Sequence, residues 1–223
     1  MPVAMNPEIF REYDIRGVAD RDLTPEVVKA IGSALGTYIQ GRGERRILVG
    51  MDNRASSPAI RDSLTEGILG TGCDVLDIGI VVTPAFYYSR ILYGIDGGAM
   101  ITASHNPPEF NGLKVAAGPA TIYGEEIQRL RQMAELGSFR SGRGNLSSAD
   151  PSEQYINMIL DKVRLGQRKL RVVVDCGNGT ASFFAPKIIE GLGCDVIPLY
   201  CESDPSFPNH FPDPVRPENL RDL

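Results

Sequence analysis

GAMITASHNPPEFNGLKV, residues 98–115, divides into a strand, a stiff loop and a second strand. Ala99-Met100-Ile101 is an apolar run short enough for a buried strand. Thr102 to Pro108 then carry Asn-Pro and Pro-Pro, which disfavour helix and sheet alike. Asn111-Gly112 reads as a further turn, and Leu113-Lys114-Val115 as the start of the next strand. A hydroxyl, an imidazole, an amide and an amine are thereby crowded onto one rigid connection. Asn, Pro and Gly also make ordinary surface turns, so composition alone gives this loop no task.

The flanking sequence alternates strand and helix, the pattern of an α/β fold. Residues 8–17 read as a short extended piece ending in a glycine turn. Thr24-Pro25 opens a helix, with Thr24 as N-cap and Pro25 in the first helical position. Val27, Val28, Ile31, Leu35 and Ile39 follow at helical spacing, so one face should pack on a sheet. Residues 46–50 form a buried strand that leads into the polar loop Met51 to Pro58. A second helix, with Ser56 or Ser57 as its N-cap, continues to the glycines at 70 and 72. A strand at 74–78, a helix from Thr83-Pro84, and a helix around 124–136 complete the first unit. The Gly/Ser-rich stretch 137–152 is the best linker candidate.

A repeat follows. Residues 170–175 match 46–52 as a strand ending in Asp, and Gly193-Cys-Asp-Val answers Gly72-Cys-Asp-Val. Two copies of strand, loop, helix and strand predict two domains of like topology. The expected division is 1–148 and 149–223. The tail from Pro205 holds five prolines, so helix could begin only after Pro217. The second copy reads as unfinished and the polypeptide as a fragment.

With 223 residues and a net charge of -5, the chain can bury a real core and offers no electrostatic reason to bind nucleic acid or an anionic membrane. The N-terminal residues lack the pattern of a signal peptide, and no apolar run approaches the ~18 residues of a membrane span. Cys73, Cys176, Cys194 and Cys201 show no C-x-x-C spacing. Cys73 and Cys194 are expected to be small buried thiols. These features predict a reducing, cytoplasmic setting.

Spacing also weighs against several chemistries. Ser104 and His105 are neighbours, and on an extended chain neighbours point to opposite sides, so no Ser–His hydrolase pair is expected. The nucleophile elbow, the Walker A loop, the dinucleotide fingerprint and the His-x-x-x-His zinc pair are all missing from the sequence.

Thr102-Ala-Ser-His-Asn-Pro-Pro-Glu-Phe-Asn-Gly-Leu-Lys114 does resemble the phosphoserine loop of the α-D-phosphohexomutases, in the version most similar to the phosphomannomutase/phosphoglucomutase branch. Four other stretches agree and stand in the family's order: residues 10–17, the loop 50–58, Asp175-Cys-Gly-Asn-Gly-Thr-Ala181, and Phe207-Pro-Asn-His-Phe-Pro-Asp-Pro214. The resemblance implies two similar three-layer α/β domains with mixed sheets, the second one truncated. It implies interconversion of hexose 1-phosphate and hexose 6-phosphate (mannose or glucose) through a hexose 1,6-bisphosphate.

Carried over residue by residue, Ser104 is the phosphorylated serine and, through its phosphate, one ligand of Mg2+. His105 flanks it in a catalytic position, and Lys114 is the general base. Tyr13, Arg16 and Asn106 bind or orient the phosphosugar. Met51 stands where the family usually has Arg, and Phe211 replaces a second His of the tail motif. That substitution weakens a catalytic role for His210. The family's metal loop, Asp-Gly-Asp-x-Asp-Arg, does not occur in these residues and is expected after Leu223. A chain lacking it should be inactive by itself. Alternative expectations are a phosphoglucosamine mutase, or a non-catalytic phosphosugar-binding module on the same fold. The partner that the resemblance implies is a small phosphosugar.

Overall fold

A computed structural model describes residues 3–223. The first sheet runs in the order β1 (Ile15–Val18), β5 (Phe110–Ala117), β4 (Gly97–Ile101), β2 (Arg46–Met51), β3 (Asp74–Ile80) and β7 (Leu146–Ser148), with β6 (Ala120–Thr121) beside β5. β4, β2, β3 and β7 are mutually parallel, while β1 and β6 pair antiparallel to β5 and β5 pairs antiparallel to β4. The sheet is therefore mixed, as the family resemblance implies.

Central parallel strands are covered on both faces and read as continuous apolar runs. In β2, Ile47, Val49 and Met51 face one core while Leu48 faces another. Helices α2 (Pro25–Gly41), α3 (Ser57–Leu69) and α5 (Glu125–Leu136) fill the first core, and α4 (Thr83–Tyr93) the second. Helix α2 begins where the sequence places it: the Thr24 hydroxyl accepts from Val27 N–H at 3.4 Å. Helix α3 differs. Ser56 occupies the N-cap position without a capping bond: its hydroxyl accepts from the Asn111 amide at 2.8 Å, and the Ser57 hydroxyl donates to Asp52 at 2.6 Å. The Gly/Ser-rich segment is not a free connection: residues 146–148 add β7 to the sheet edge, and Gly144 packs on the backbone of Cys73.

The short helix α1 (Ala19–Asp22) ends on a buried carboxylate. Asp22 accepts from Val18 N–H at 2.9 Å and from Arg21 at 2.8 and 3.0 Å. The Arg21 hydrogen bonds lead in lowering its pKa to about 2, against burial, which raises it. A depressed carboxylate stabilises the fold above its unfolded pKa and loses that contribution as pH falls through the folded value. Arg21 is exposed, so solvent screening reduces the effect. Asp22→Asn is expected to cost about 1 kcal/mol at pH 7, and the deficit should close between about pH 4 and pH 2. Chemical denaturation at both ends of that range measures it.

The repeat is structural. Strands β8 (Arg171–Asp175) and β9 (Asp195–Leu199) form a second, two-stranded parallel sheet. Arg171 pairs with Asp195 just as Arg46 pairs with Asp74. Each copy's strand opens into a turn closed by its own aspartate: Asp52 accepts from Arg54 N–H at 3.1 Å, and Asp175 from Gly177 N–H at 2.8 Å. Helix α6 (Ser152–Lys162) docks against α4, with the ring of Tyr155 between Tyr88 and Phe184. Phe184 immediately precedes α7 (Ala185–Gly191), and the proline-rich tail turns helical only in a 3-10 turn, Pro217–Leu220. Cys194 is half-buried, unlike the fully buried Cys73 expected to match it. Among the described residues no helix is long and apolar enough to cross a membrane.

Candidate functional site

Loops that follow adjacent parallel strands open on the same sheet edge, where α/β proteins bind ligands. Here the loops after β2, β3 and β4 do so, and the turns after β8 close over them. Together they line a crevice of about 250 Å3 that includes Asp52, Arg54, Thr102, Ser104, Thr180 and Phe207.

Ser104 stands at its rim, exposed, with φ +57. A non-glycine residue in the left-handed region has to be held there by its surroundings. Two sets of contacts do so. The Ser104 N–H donates to the Thr102 hydroxyl at 3.1 Å. Arg54 grips the rest: Nη2 donates to the carbonyls of Ser104 (2.9 Å) and Asn106 (2.7 Å), and Nη1 to those of Pro107 (2.7 Å) and Phe110 (3.2 Å). Its Nε donates to Asp52 at 3.2 Å. Burial pulls the guanidinium below the ordinary arginine value, and Asp52 opposes that shift. The Phe207 ring lies 5.7 Å from the Arg54 guanidinium carbon.

The left-handed turn also changes where Ser104 points. Its hydroxyl lies 3.2 Å from His105 Nδ1, so the expectation that the two side chains point apart is overturned. That expectation holds for extended backbone, which Ser104 does not adopt. Among the described residues no third side chain hydrogen-bonds to the His105 ring, so nothing orients it as a hydrolase triad requires.

The other expected residues arrive on β1 and β5. Arg16 pairs across from Gly112; its Nη1 donates to Asn106 Oδ1 at 2.9 Å, its Nη2 pairs with Asp14, and its buried Nε has no partner among the described residues. Arg16 and Asn106 are thus joined to each other, and Arg16 braces the serine loop. Lys114 sits opposite Met100 on β5, on the sheet face away from the first core, with its ammonium 5.4 Å from the centre of the exposed Tyr13 ring. Met51, in place of the family's Arg, is buried in the first core.

A second set of contacts ties the two repeats. The Asn53 N–H donates to Thr180 Oγ1 at 3.0 Å, and its side-chain amide donates to the Asn178 carbonyl at 2.8 Å and the Ser203 hydroxyl at 2.9 Å. His210 does not join the serine. Its Nε2 faces Asp175 at 3.1 and 3.2 Å and its Nδ1 faces the Phe211 carbonyl at 2.9 Å, which pins the tail to the loop after β8.

Arg54, Asp52 and Asn53 carried no individual role in the sequence. Their signal was slight: an arginine two residues after a strand-ending aspartate, inside a polar loop. As for Mg2+, no three His, Cys, Asp or Glu side chains converge among the described residues, and the Ser104 hydroxyl lies 3.2 Å from an imidazole nitrogen. The residues present do not by themselves make a magnesium site.

Residues 7–140 match the family description "Phosphoglucomutase/phosphomannomutase, alpha/beta/alpha domain I", and residues 153–223 match domain II. The chain belongs to this phosphoglucomutase/phosphomannomutase family. A phosphomannomutase/phosphoglucomutase of Pseudomonas aeruginosa PAO1 is 46% identical over 96% of this chain and 46% of its own length. A phosphoglucomutase of Neisseria meningitidis serogroup A is 39% identical over 97% of this chain and 47% of its own length. A crystal structure of a family protein from Burkholderia thailandensis superposes with a TM-score of 0.94 at 37% identity, covering 99% of this chain and 50% of the other. The chain spans about half the length of the curated relatives it matches.

Proposed function

We propose that the chain carries the phosphoserine half of a cytoplasmic phosphohexomutase acting on mannose or glucose phosphates. The observation that supports this most directly is the pinned serine: an exposed hydroxyl in a left-handed turn, locked by one buried arginine to four loop carbonyls at a crevice mouth. Phosphoryl transfer asks chiefly for positioning and charge stabilisation, and a misplacement of about 1 Å can cost ~100-fold.

In this reading Ser104 carries a phosphoryl group and passes it to the free hydroxyl of a bound hexose phosphate. Lys114 takes the proton of that hydroxyl. The resulting hexose 1,6-bisphosphate turns over, and its other phosphate returns to Ser104. Tyr13, whose ring centre lies 5.4 Å from the Lys114 ammonium, helps orient the phosphosugar, Arg16 and Asn106 hold the loop to β1, and His105 hydrogen-bonds to the serine in its free form. The Asp-Gly-Asp-x-Asp-Arg loop does not occur in this sequence and no metal-binding cluster forms among the described residues, so we expect the isolated chain to interconvert glucose phosphates at no measurable rate.

The test is phosphoryl labelling. The protein expressed from its native gene, incubated with labelled hexose 1,6-bisphosphate, should take the label on Ser104, and Ser104→Ala should take none and lose mutase activity. A binding module would hold phosphosugar equally well with either residue. Unchanged turnover in Ser104→Ala would overturn the catalytic reading.

A further inference from the structure

Two of the four cysteines meet away from the serine loop. Cys201 Sγ lies 3.1 Å from Cys176 Sγ, and both are free thiols. The backbone arranges the meeting. In the parallel pair β8–β9 the last partners are Asp175 and Leu199, and Cys176 N–H then donates to the Leu199 carbonyl at 3.0 Å. Cys201 Sγ rests against the carbonyls of Val174 at 3.2 Å and Leu199 at 3.4 Å. Each sulfur is therefore set by the end of a strand. Cys73, by contrast, lies under the first sheet against the Gly36 carbonyl, and Cys194 lies at the opposite end of β9.

We infer that Cys176 and Cys201 are a thiol-modification site that peroxides convert to a reversible disulfide. The inference does not depend on the mutase reading, although Cys176 lines the same crevice as Ser104. A disulfide needs its sulfurs at about 2.05 Å, so they have to close by roughly 1 Å. Cys201 is the more exposed of the two and meets the oxidant first. Its thiolate attacks one oxygen of hydrogen peroxide, the O–O bond breaks, a sulfenic acid forms, and the departing hydroxide takes up a proton as water. The Cys176 sulfur then attacks the sulfenic sulfur. The S–S bond forms, the S–O bond breaks, and the Cys176 proton leaves in a second water. Two thiols and one peroxide thus give one disulfide and two waters. Burial, with the adjoining Cys201, pushes the Cys176 thiol up to about 12, which leaves the first attack to Cys201 and makes the second step speed up as pH rises.

The bond would tie down a working part of the fold. Cys176 leads into the turn whose Asn178 and Thr180 hold Asn53 of the first repeat. Cross-linking it to Cys201 would fix one wall of the crevice.

The experiment treats the reduced 223-residue chain with a small excess of hydrogen peroxide, then counts free thiols and maps the linked peptides. Trypsin leaves Cys194 and Cys201 together on residues 188–221, so Cys194→Ser is mapped in parallel. Two of the four thiols should disappear, Cys176 should be joined to residues 188–221 in both proteins, and dithiothreitol should restore all thiols. Amide exchange in residues 176–180 should slow in the oxidised form. Oxidation in denaturant should scatter the linkages. The inference is overturned if the native chain yields only sulfinic acid at Cys201, if linkages involving Cys73 or Cys194 predominate, or if Cys194→Ser abolishes the cross-link.

Discussion

Arg54→Ala should destabilise the chain by about 3–5 kcal/mol, the usual cost of leaving one member of a buried ion pair alone. For a chain of this length that corresponds to a melting temperature lower by roughly 10 °C. Arg54 is 2% exposed and satisfies Asp52 and four carbonyls at once. Alanine leaves the carbonyls without their donor and the Asp52 carboxylate without its cation, though Asp52 keeps the Ser57 hydroxyl and its own turn bond. The Phe207 ring also loses the cation it covers. Local consequences should exceed global ones. With its carbonyls released, Ser104 has little reason to keep φ at +57, and amide exchange in residues 102–109 should rise more than in β2 or β4. Arg54→Lys should recover less than half of the loss, because one ammonium cannot reproduce a planar fork. An unchanged melting temperature and unchanged exchange in that loop would show that the loop holds its shape by its prolines alone.

Much of the fold was legible because local rules and packing agree. Thr24-Pro25 begins α2 where capping chemistry says it should. The Gly-Cys-Asp-Val repeat marks two strands that do pair in the same register with their preceding partners. The residues that touch across the site were less legible. That Arg54 reaches residues more than 50 positions away is a tertiary fact, and its neighbours in sequence describe only a polar turn. The Ser104–His105 contact was missed because one residue's backbone left the extended region. Ser57 looked like a helix cap and is instead held by Asp52. Arg54 had local and distant partners to choose from, and the distant carbonyls prevailed where burial left no water to compensate, whereas the Ser104–His105 contact joins exposed neighbours and follows from the backbone turn alone.

Gly112 shows the same competition in the backbone, and it carries the second large effect. Asn111-Gly112 has the composition of a hairpin turn, yet both residues lie inside β5. Gly112 is not among the glycines with positive φ, so the need for glycine is one of space. A Cβ there would meet the Ile15 carbonyl oxygen at 2.1 Å and the Arg16 Cα at 3.1 Å. Neither is the end of a flexible side chain, so β1 would have to leave β5. Asn111, fully buried, meanwhile donates to the Ser56 and Ser57 hydroxyls at 2.8 and 3.0 Å, tying β5 to the start of α3. Gly112→Ala should therefore cost about 3 kcal/mol, at the upper end for overpacking. It should also break the Arg16–Asn106 hydrogen bond and carry the Tyr13 ring away from Lys114, since both residues belong to the displaced segment. Gly41→Ala is the matched control: it ends α2 with nothing within 4 Å of the added carbon and should change stability by no more than about 0.5 kcal/mol. Equal melting temperatures for the two variants would mean that β1 can shift at no cost, and the close strand approach would then not be what requires glycine beside Asn111.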